Sequence, residues 1–277
     1  NRTRQSPGGT ARAILDAMMA SPHVTMSWMM GMARRRIARM LPQRWVYWIR
    51  RMRGRRPAPP VGSVRFGDLD RVTPISRDFG YDRGTPIDRY YIEAFLQRHA
   101  ADIRGRALEV GDDSYCRRFG GGYITQQDVL HVSPRAAATI TGDLSQPALL
   151  PEAAFDCMVM TQTLHFIFDV RAAVMEIHRG LKPGGILLLT APGISQIDRG
   201  EWGESWFWSL TRQSALRLFA DKFGAENVEV EAFGNVFAAT AFLQGLALEE
   251  VDRSMLDVAD KAYPVIVTVR ARRARDS

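Results

Sequence analysis

The chain is poor in the residues that build several common kinds of site. Two cysteines, Cys116 and Cys157, stand in 277 residues, too few for a disulfide framework, and Cys157 lies in an apolar run where a buried, reduced thiol is usual. A reducing, cytoplasmic location is therefore expected. The five histidines and two cysteines do not combine with carboxylates at zinc-binding spacings, so no metal site is expected. No run of about 18 uncharged apolar residues occurs, because Asp16, Pro22 and His23 interrupt the Met-rich segment near the start. A spanning helix is disfavoured. Lysine is scarce, with Lys182, Lys222 and Lys261 alone. Acidic residues are missing altogether between Ala17 and Gly67, a stretch that holds eleven arginines from Arg34 to Arg65. The net charge of +7 is thus local, since removing +11 leaves −4 for the remainder.

What is present reads as globular: 46% hydrophobic and 24% charged residues suit a soluble α/β domain with an extension. Pro57, Pro59 and Pro60 mark a boundary, so residues 1–60 form a basic, Met- and Arg-rich helical extension and 61–277 the main domain. Within the extension, Pro42 can open a helix with Trp45, Trp48, Ile49 and Met52 on one stripe and arginines around it. Such a helix suits a peripheral membrane contact or an acidic partner. Packing against the main domain or a second subunit is the more ordinary role for it, and organellar transit segments share the composition.

From Pro86 the pattern becomes regular. Ile92, Phe95, Leu96 and His99 repeat at helical spacing within a helix expected over 87–103. Strands are expected at 107–110, 123–128, 138–142, 155–160 and 185–190, with a helix at 169–181 between the last two. The runs Cys-Met-Val-Met and Ile-Leu-Leu-Leu are continuously apolar, as strands buried on both faces must be. A helix near 214–223, a strand at 228–233, a helix around 236–246 and a strand at 265–270 follow. This alternation predicts a Rossmann-like, doubly wound sheet of seven strands, mostly parallel with the last antiparallel.

Ligands of such sheets bind beyond the carboxyl ends of the strands, and here those ends are acidic: Glu109-Val110-Gly111-Asp112-Asp113, Asp128 and Asp143-Leu144, with Thr161-Gln162 after the fourth strand. A dinucleotide needs a Gly-rich turn and tolerates poorly three carboxylates near two phosphates. S-adenosylmethionine has no phosphate, and its sulfonium, ammonium, ribose diol and adenine amine all seek acceptors. The carboxylate edge complements it.

On these residues the sequence resembles the class I SAM-dependent methyltransferases, most closely the small bacterial ones with Leu181-Lys182-Pro183-Gly184-Gly185 before the fifth strand, Phe155-Asp156 opening the fourth and Thr163-Leu164-His165-Phe166 closing it. The resemblance spans about Ile87 to Arg270, more faintly including Phe66-Gly67-Asp68. It implies SAM as cofactor, with Glu109, Gly111 and Asp112 in the first loop, Asp128 at the ribose hydroxyls, Asp143 and Leu144 at the adenine, and Thr161 and Gln162 under the sulfonium. The family loop has three glycines, and here Asp113 and Tyr115 stand where the second and third belong. Tyr90, in Asp88-Arg89-Tyr90-Tyr91, is the candidate to close over the cofactor in compensation, or it packs on the sheet. His165, with His131 second to it, is the candidate base for a hydroxyl acceptor, or it caps the next helix or hydrogen-bonds the loop. Trp202, Trp206 and Trp208 are candidates for the acceptor pocket, or for local packing. The expected reaction is methylation of a small molecule or glycan on oxygen. Two alternatives stand beside it: a non-catalytic methyltransferase fold acting as a binding subunit, which the altered loop would permit, and an RNA or DNA methyltransferase, which draws only on the Arg-rich extension. Nucleic acid is not the expected partner.

Overall fold

A computed structural model describes residues 58–275, and the compact unit beginning at Gly67 carries every element below. The helix expected over 42–52, with its proposed contacts, lies outside the described residues. Seven strands, β1 (Gly105–Val110), β2 (Ile124–His131), β3 (Ile140–Thr141), β4 (Phe155–Thr161), β5 (Leu181–Pro192), β6 (Val228–Phe233) and β7 (Ile266–Arg272), form one sheet in the order β3-β2-β1-β4-β5-β7-β6. β1 to β5 pair in parallel, and β7 runs antiparallel to both its neighbours. The fold expected from the alternation is the fold observed.

Side chains alternate across the sheet. In β4, Met158 and Met160 join one apolar layer while Cys157 and Val159 join the other, which is why the strand is apolar throughout. Helices α2 (Val170–Gly180) and α3 (Arg212–Phe223) cover the first layer, and α1 (Ile87–Arg98) and α4 (Val236–Leu243) the second. α2 starts where the Asp169 carboxylate accepts the Ala172 amide at 3.0 Å, and it buries Ala173, Val174 and Ile177. α3 starts with a capping box in which Thr211 and Ser214 satisfy each other's backbone amides. Thr211→Ala is expected to cost about 1 kcal/mol of folding free energy, read as a lower urea midpoint with an unchanged m-value. Among the described residues no helix is long and apolar enough to cross a membrane.

The Lys-Pro-Gly-Gly segment has a local cause. Leu181 pairs with Phe155 but Ile186 pairs with Cys157, so residues 182–185 bulge out of the ladder. Gly184 there has φ +83, and a Cβ on Gly185 would lie 2.9 Å from the carbonyl oxygens of Lys182 and Phe155. Only glycine fits.

Two expectations need correction. α1 stops at Arg98 and a 3-10 turn, Ala100–Asp102, follows, because the His99 amide is shared between the Phe95 and Leu96 carbonyls and the chain tightens. The strand expected to end at Asp128 continues to His131, since Val110 pairs with Leu130 and the Gly111 amide donates to the Leu130 carbonyl. The crossover from β1 to β2 holds a π-helical turn, Cys116–Gly120, and a 3-10 turn, Gly121–Tyr123.

Candidate active site

Strand order reverses between β1 and β4, and a cleft of about 1030 Å³ opens beside their carboxyl ends. Loops after β1, β2, β3, β4 and β5 line it, together with the first turn of α1 and the Asp78-Phe79 segment. Of the residues singled out in the sequence, Gly111, Asp143, Leu144, Thr161, Gln162, His165, Trp202 and Trp206 face this cleft. Gly111 has φ +93, a left-handed backbone, with nothing within 4 Å of where a Cβ would stand. The main chain can therefore come close to a ligand there.

Tyr90, Glu109, Asp112, Asp128 and Trp208 do not line it. Glu109 is buried at 2% exposure and accepts the backbone amides of Tyr115 (3.1 Å) and Cys116 (2.7 Å), so it holds the turn after β1. Burial pushes its carboxyl up to about 7, against the pull of those two amides. Asp112 accepts the amide and hydroxyl of Ser114 within the same loop. Asp128 lies inside the sheet, accepting from Arg106 Nε at 2.8 Å and Thr139 Oγ1 at 2.9 Å; the residue at the strand's end is His131, which does line the cleft. Tyr90 donates to Asp257 at 2.5 Å and Tyr91 to the Leu256 carbonyl at 3.0 Å, so both pack against the C-terminal segment. Trp208 donates Nε1 to the Ile167 carbonyl and stacks on Phe168 beside the mouth.

The cleft collects unusual groups. Gln162 has φ 49 and Phe79 φ 52, a strained conformation for residues with a Cβ that is kept where the surroundings enforce it. The Gln162 Oε1 is buried without a hydrogen-bond partner among the described residues, and the same holds for the atoms called unpartnered below. His165 is 1% exposed, its ring 3.9 Å from that of Phe166 and 4.3 Å from that of Trp206 between centroids. Neither ring nitrogen has a partner, and burial drives the imidazole pKa down to about 3. Phe166 and Trp202 are 5.4 Å apart, and Phe79 stacks on Trp206 at 6.1 Å. The expected acidic rim exists but is built largely from other residues: Asp78, Asp88, Asp143, Asp169 and Asp198 line the cleft, with Arg89 as its only lysine or arginine among the described residues.

Asp78, Asp88, Arg89 and Asp198 are cleft residues that are not among the candidates from the sequence, and His131 is there only as a second candidate base. The signal for Asp88 and Arg89 was their place beside Tyr90 in the first turn after Pro86. The place of His131 at the end of β2 is lost when the second strand is ended three residues early.

A family model described as "Methyltransferase domain" matches residues 123–189. No match was found among curated proteins. Among solved structures the chain is similar to the N-methyltransferase NodS from Bradyrhizobium japonicum in complex with S-adenosylhomocysteine (13% identity over 72% of this chain and 94% of that one, TM-score 0.45). It is also similar to an S-adenosylmethionine-dependent methyltransferase from Mesorhizobium loti (18%, 70% and 100%, TM-score 0.43). A third is phosphoethanolamine N-methyltransferase 2 from Haemonchus contortus in complex with S-adenosylmethionine (17%, 79% and 62%, TM-score 0.48). The cleft fits the cofactor on its own terms: a glycine open to close approach, buried polar atoms without partners, and a negative lining for a ligand of positive sulfur and nitrogen. The matched segment is the one that forms β2 to β5 around this cleft, and over it the chain is similar to a methyltransferase domain.

Proposed function

We propose that the acceptor is a hydroxyl group on a small molecule or a glycan. The observation that carries this reading is His165: a buried imidazole with both nitrogens unpartnered, set between aromatic rings on the wall of the cleft. Leaving two polar atoms unpaired costs roughly 1–3 kcal/mol each, a cost that a hydroxyl-bearing acceptor recovers by hydrogen bonding there.

SAM, when bound, supplies a methyl group on positively charged sulfur, so the chain has mainly to position a nucleophile and exclude water. The main chain at Gly111, Asp143 and Leu144 after β3, and Thr161 with Gln162 after β4 would hold the cofactor. His131, tied through Nδ1 to Ser133, ends β2 at the cleft and would meet the ribose hydroxyls in place of Asp128. Phe166, Trp202 and Trp206 present ring faces to a flat or sugar-like acceptor and keep the reacting oxygen dry. With its pKa near 3, His165 stays neutral through the working range and is always ready to accept a proton. A hydroxyl oxygen becomes strongly acidic as it gains a second carbon, so even this weakly basic ring can take its proton. The five aspartates around the cleft oppose a phosphate backbone, which disfavours RNA or DNA as acceptor.

The test is SAM turnover by the purified full chain, read as S-adenosylhomocysteine release, against methyl glycosides, phenols, primary amines and oligonucleotides. Hydroxyl acceptors are expected to stimulate release. Stimulation by amines or oligonucleotides alone would overturn the assignment.

A further inference from the structure

Two side chains in the cleft remain outside this account. Asp88 and Arg89 occupy the first turn of α1 and both face the cavity. Asp88 is 6% exposed, and its Oδ1 and the Arg89 Nε are buried without hydrogen-bond partners. The two atoms stand 3.7 Å apart, close enough for attraction and too far for a hydrogen bond. Each charge therefore keeps an unmet bonding capacity beside the cavity that both residues line. Burial raises the Asp88 carboxyl above its usual range, against the pull of Arg89.

Arg89 is also oriented. Its Nη1 donates to the Tyr115 hydroxyl at 3.2 Å, and Tyr115 is braced by stacking on Phe119 at 6.0 Å. Tyr115 is the residue standing where the related loop carries its third glycine. The departure that looked damaging in the sequence is the support of a cavity-facing guanidinium.

We infer that the Asp88–Arg89 pair, steadied by Tyr115, binds the zwitterionic amino-acid end of the cofactor, the ammonium at Asp88 and the carboxylate at Arg89. This rests on SAM occupying the cleft as proposed above. An aminocarboxylate is the complement of a carboxylate and a guanidinium side by side that do not satisfy each other, and a charge-assisted pair forms at each end. The anchoring that loop glycines would have provided by close backbone approach is thereby transferred to side chains of α1.

The experiment is calorimetric titration of the full chain with two ligands, S-adenosylhomocysteine and 5′-methylthioadenosine, which shares the nucleoside and thioether but lacks the aminocarboxylate. Arg89→Gln and Asp88→Asn are each expected to weaken S-adenosylhomocysteine binding by about tenfold or more and to leave 5′-methylthioadenosine binding unchanged, which also reports an intact fold. Arg89→Lys is expected to recover part of the loss, and Tyr115→Phe to show a smaller loss with the same ligand selectivity. Equal weakening of both ligands, or no weakening of either, overturns the inference while leaving the cofactor in place. Failure of the unaltered protein to bind either ligand would instead remove the cofactor on which it rests.

Discussion

Replacing His165 by phenylalanine is expected to lower kcat roughly a hundredfold while leaving the affinity for S-adenosylhomocysteine within about twofold of its original value. Phenylalanine keeps the packing between Phe166 and Trp206 and deletes two buried nitrogens that have no partners, so the folded protein should not lose stability at neutral pH. A deficit confined to kcat would then report a group that meets the acceptor as it reacts. His165→Gln, which restores one hydrogen-bonding oxygen, should recover part of the rate. The pH profile gives the sharper reading. With the imidazole pKa at about 3, kcat of the unaltered enzyme should be flat between about pH 5 and 8, lacking the limb near 6.5 that an ordinary histidine base produces. A limb there that disappears in the phenylalanine variant would mean that substrate or water relieves the burial, and would reject the account of a dry, permanently neutral base. Full retention of kcat would reject the acceptor contact itself.

The layered fold was legible because its signals are redundant. Each central strand is apolar on both faces, each covering helix repeats its apolar residues at helical spacing, and glycines stand where the bulge before the body of β5 allows nothing else. Strand ends carried no such redundancy. Whether β2 stops at Asp128 or at His131 depends on the pairing of Val110 with Leu130, a long-range fact absent from the local pattern. That difference puts an imidazole, not a carboxylate, at the end of the strand beside the cleft. The acidic character of the edge was read correctly in sign and only partly in place: Glu109 and Asp128 turn inward to bond backbone amides and an arginine, whereas Asp78 and Asp198 reach the cleft from loops with no periodicity to announce them. Proximity in the chain was also ambiguous within α1. Asp88 and Arg89 face the cavity while the neighbouring Tyr90 bonds the C-terminal segment, a rotation of about 100° per residue that follows from helix geometry once the buried stripe is known.

Buried Glu109 and His165 should pull the pH dependence of stability in opposite directions, and single substitutions should expose each pull. The Glu109 carboxyl is raised to about 7 from 4.5, so between those values the folded chain holds its proton more tightly than the unfolded chain does, and stability rises as pH falls. The His165 pKa is lowered from 6.5 to about 3. Between those values the unfolded chain takes up the proton that the folded chain refuses, so stability is lost as pH falls. Over the shared window, from about pH 6.5 to 4.5, each effect amounts to roughly 2–3 kcal/mol, and the two offset one another. His178, lowered to about 4 by burial and by the nearby Lys222 and Arg273, sides with His165; Asp88, raised by burial, sides with Glu109. Glu176 and Asp156 are held below the usual carboxylate range, against burial, by Arg179 and by Lys182 respectively, so their contributions are lost only at more acid pH. Urea unfolding at half-unit steps from pH 7 to 4.5 should therefore give a shallow curve for the unaltered protein. Glu109→Gln should tilt it toward acid loss by about 2 kcal/mol across the window, and His165→Phe should tilt it the other way by a similar amount. The slope is the measured quantity, because Glu109→Gln also weakens the bonds to the Tyr115 and Cys116 amides and so lowers stability at every pH. Parallel curves for all three proteins would show that neither group keeps its buried proton state, and would remove the physical basis for a neutral His165 in the cleft.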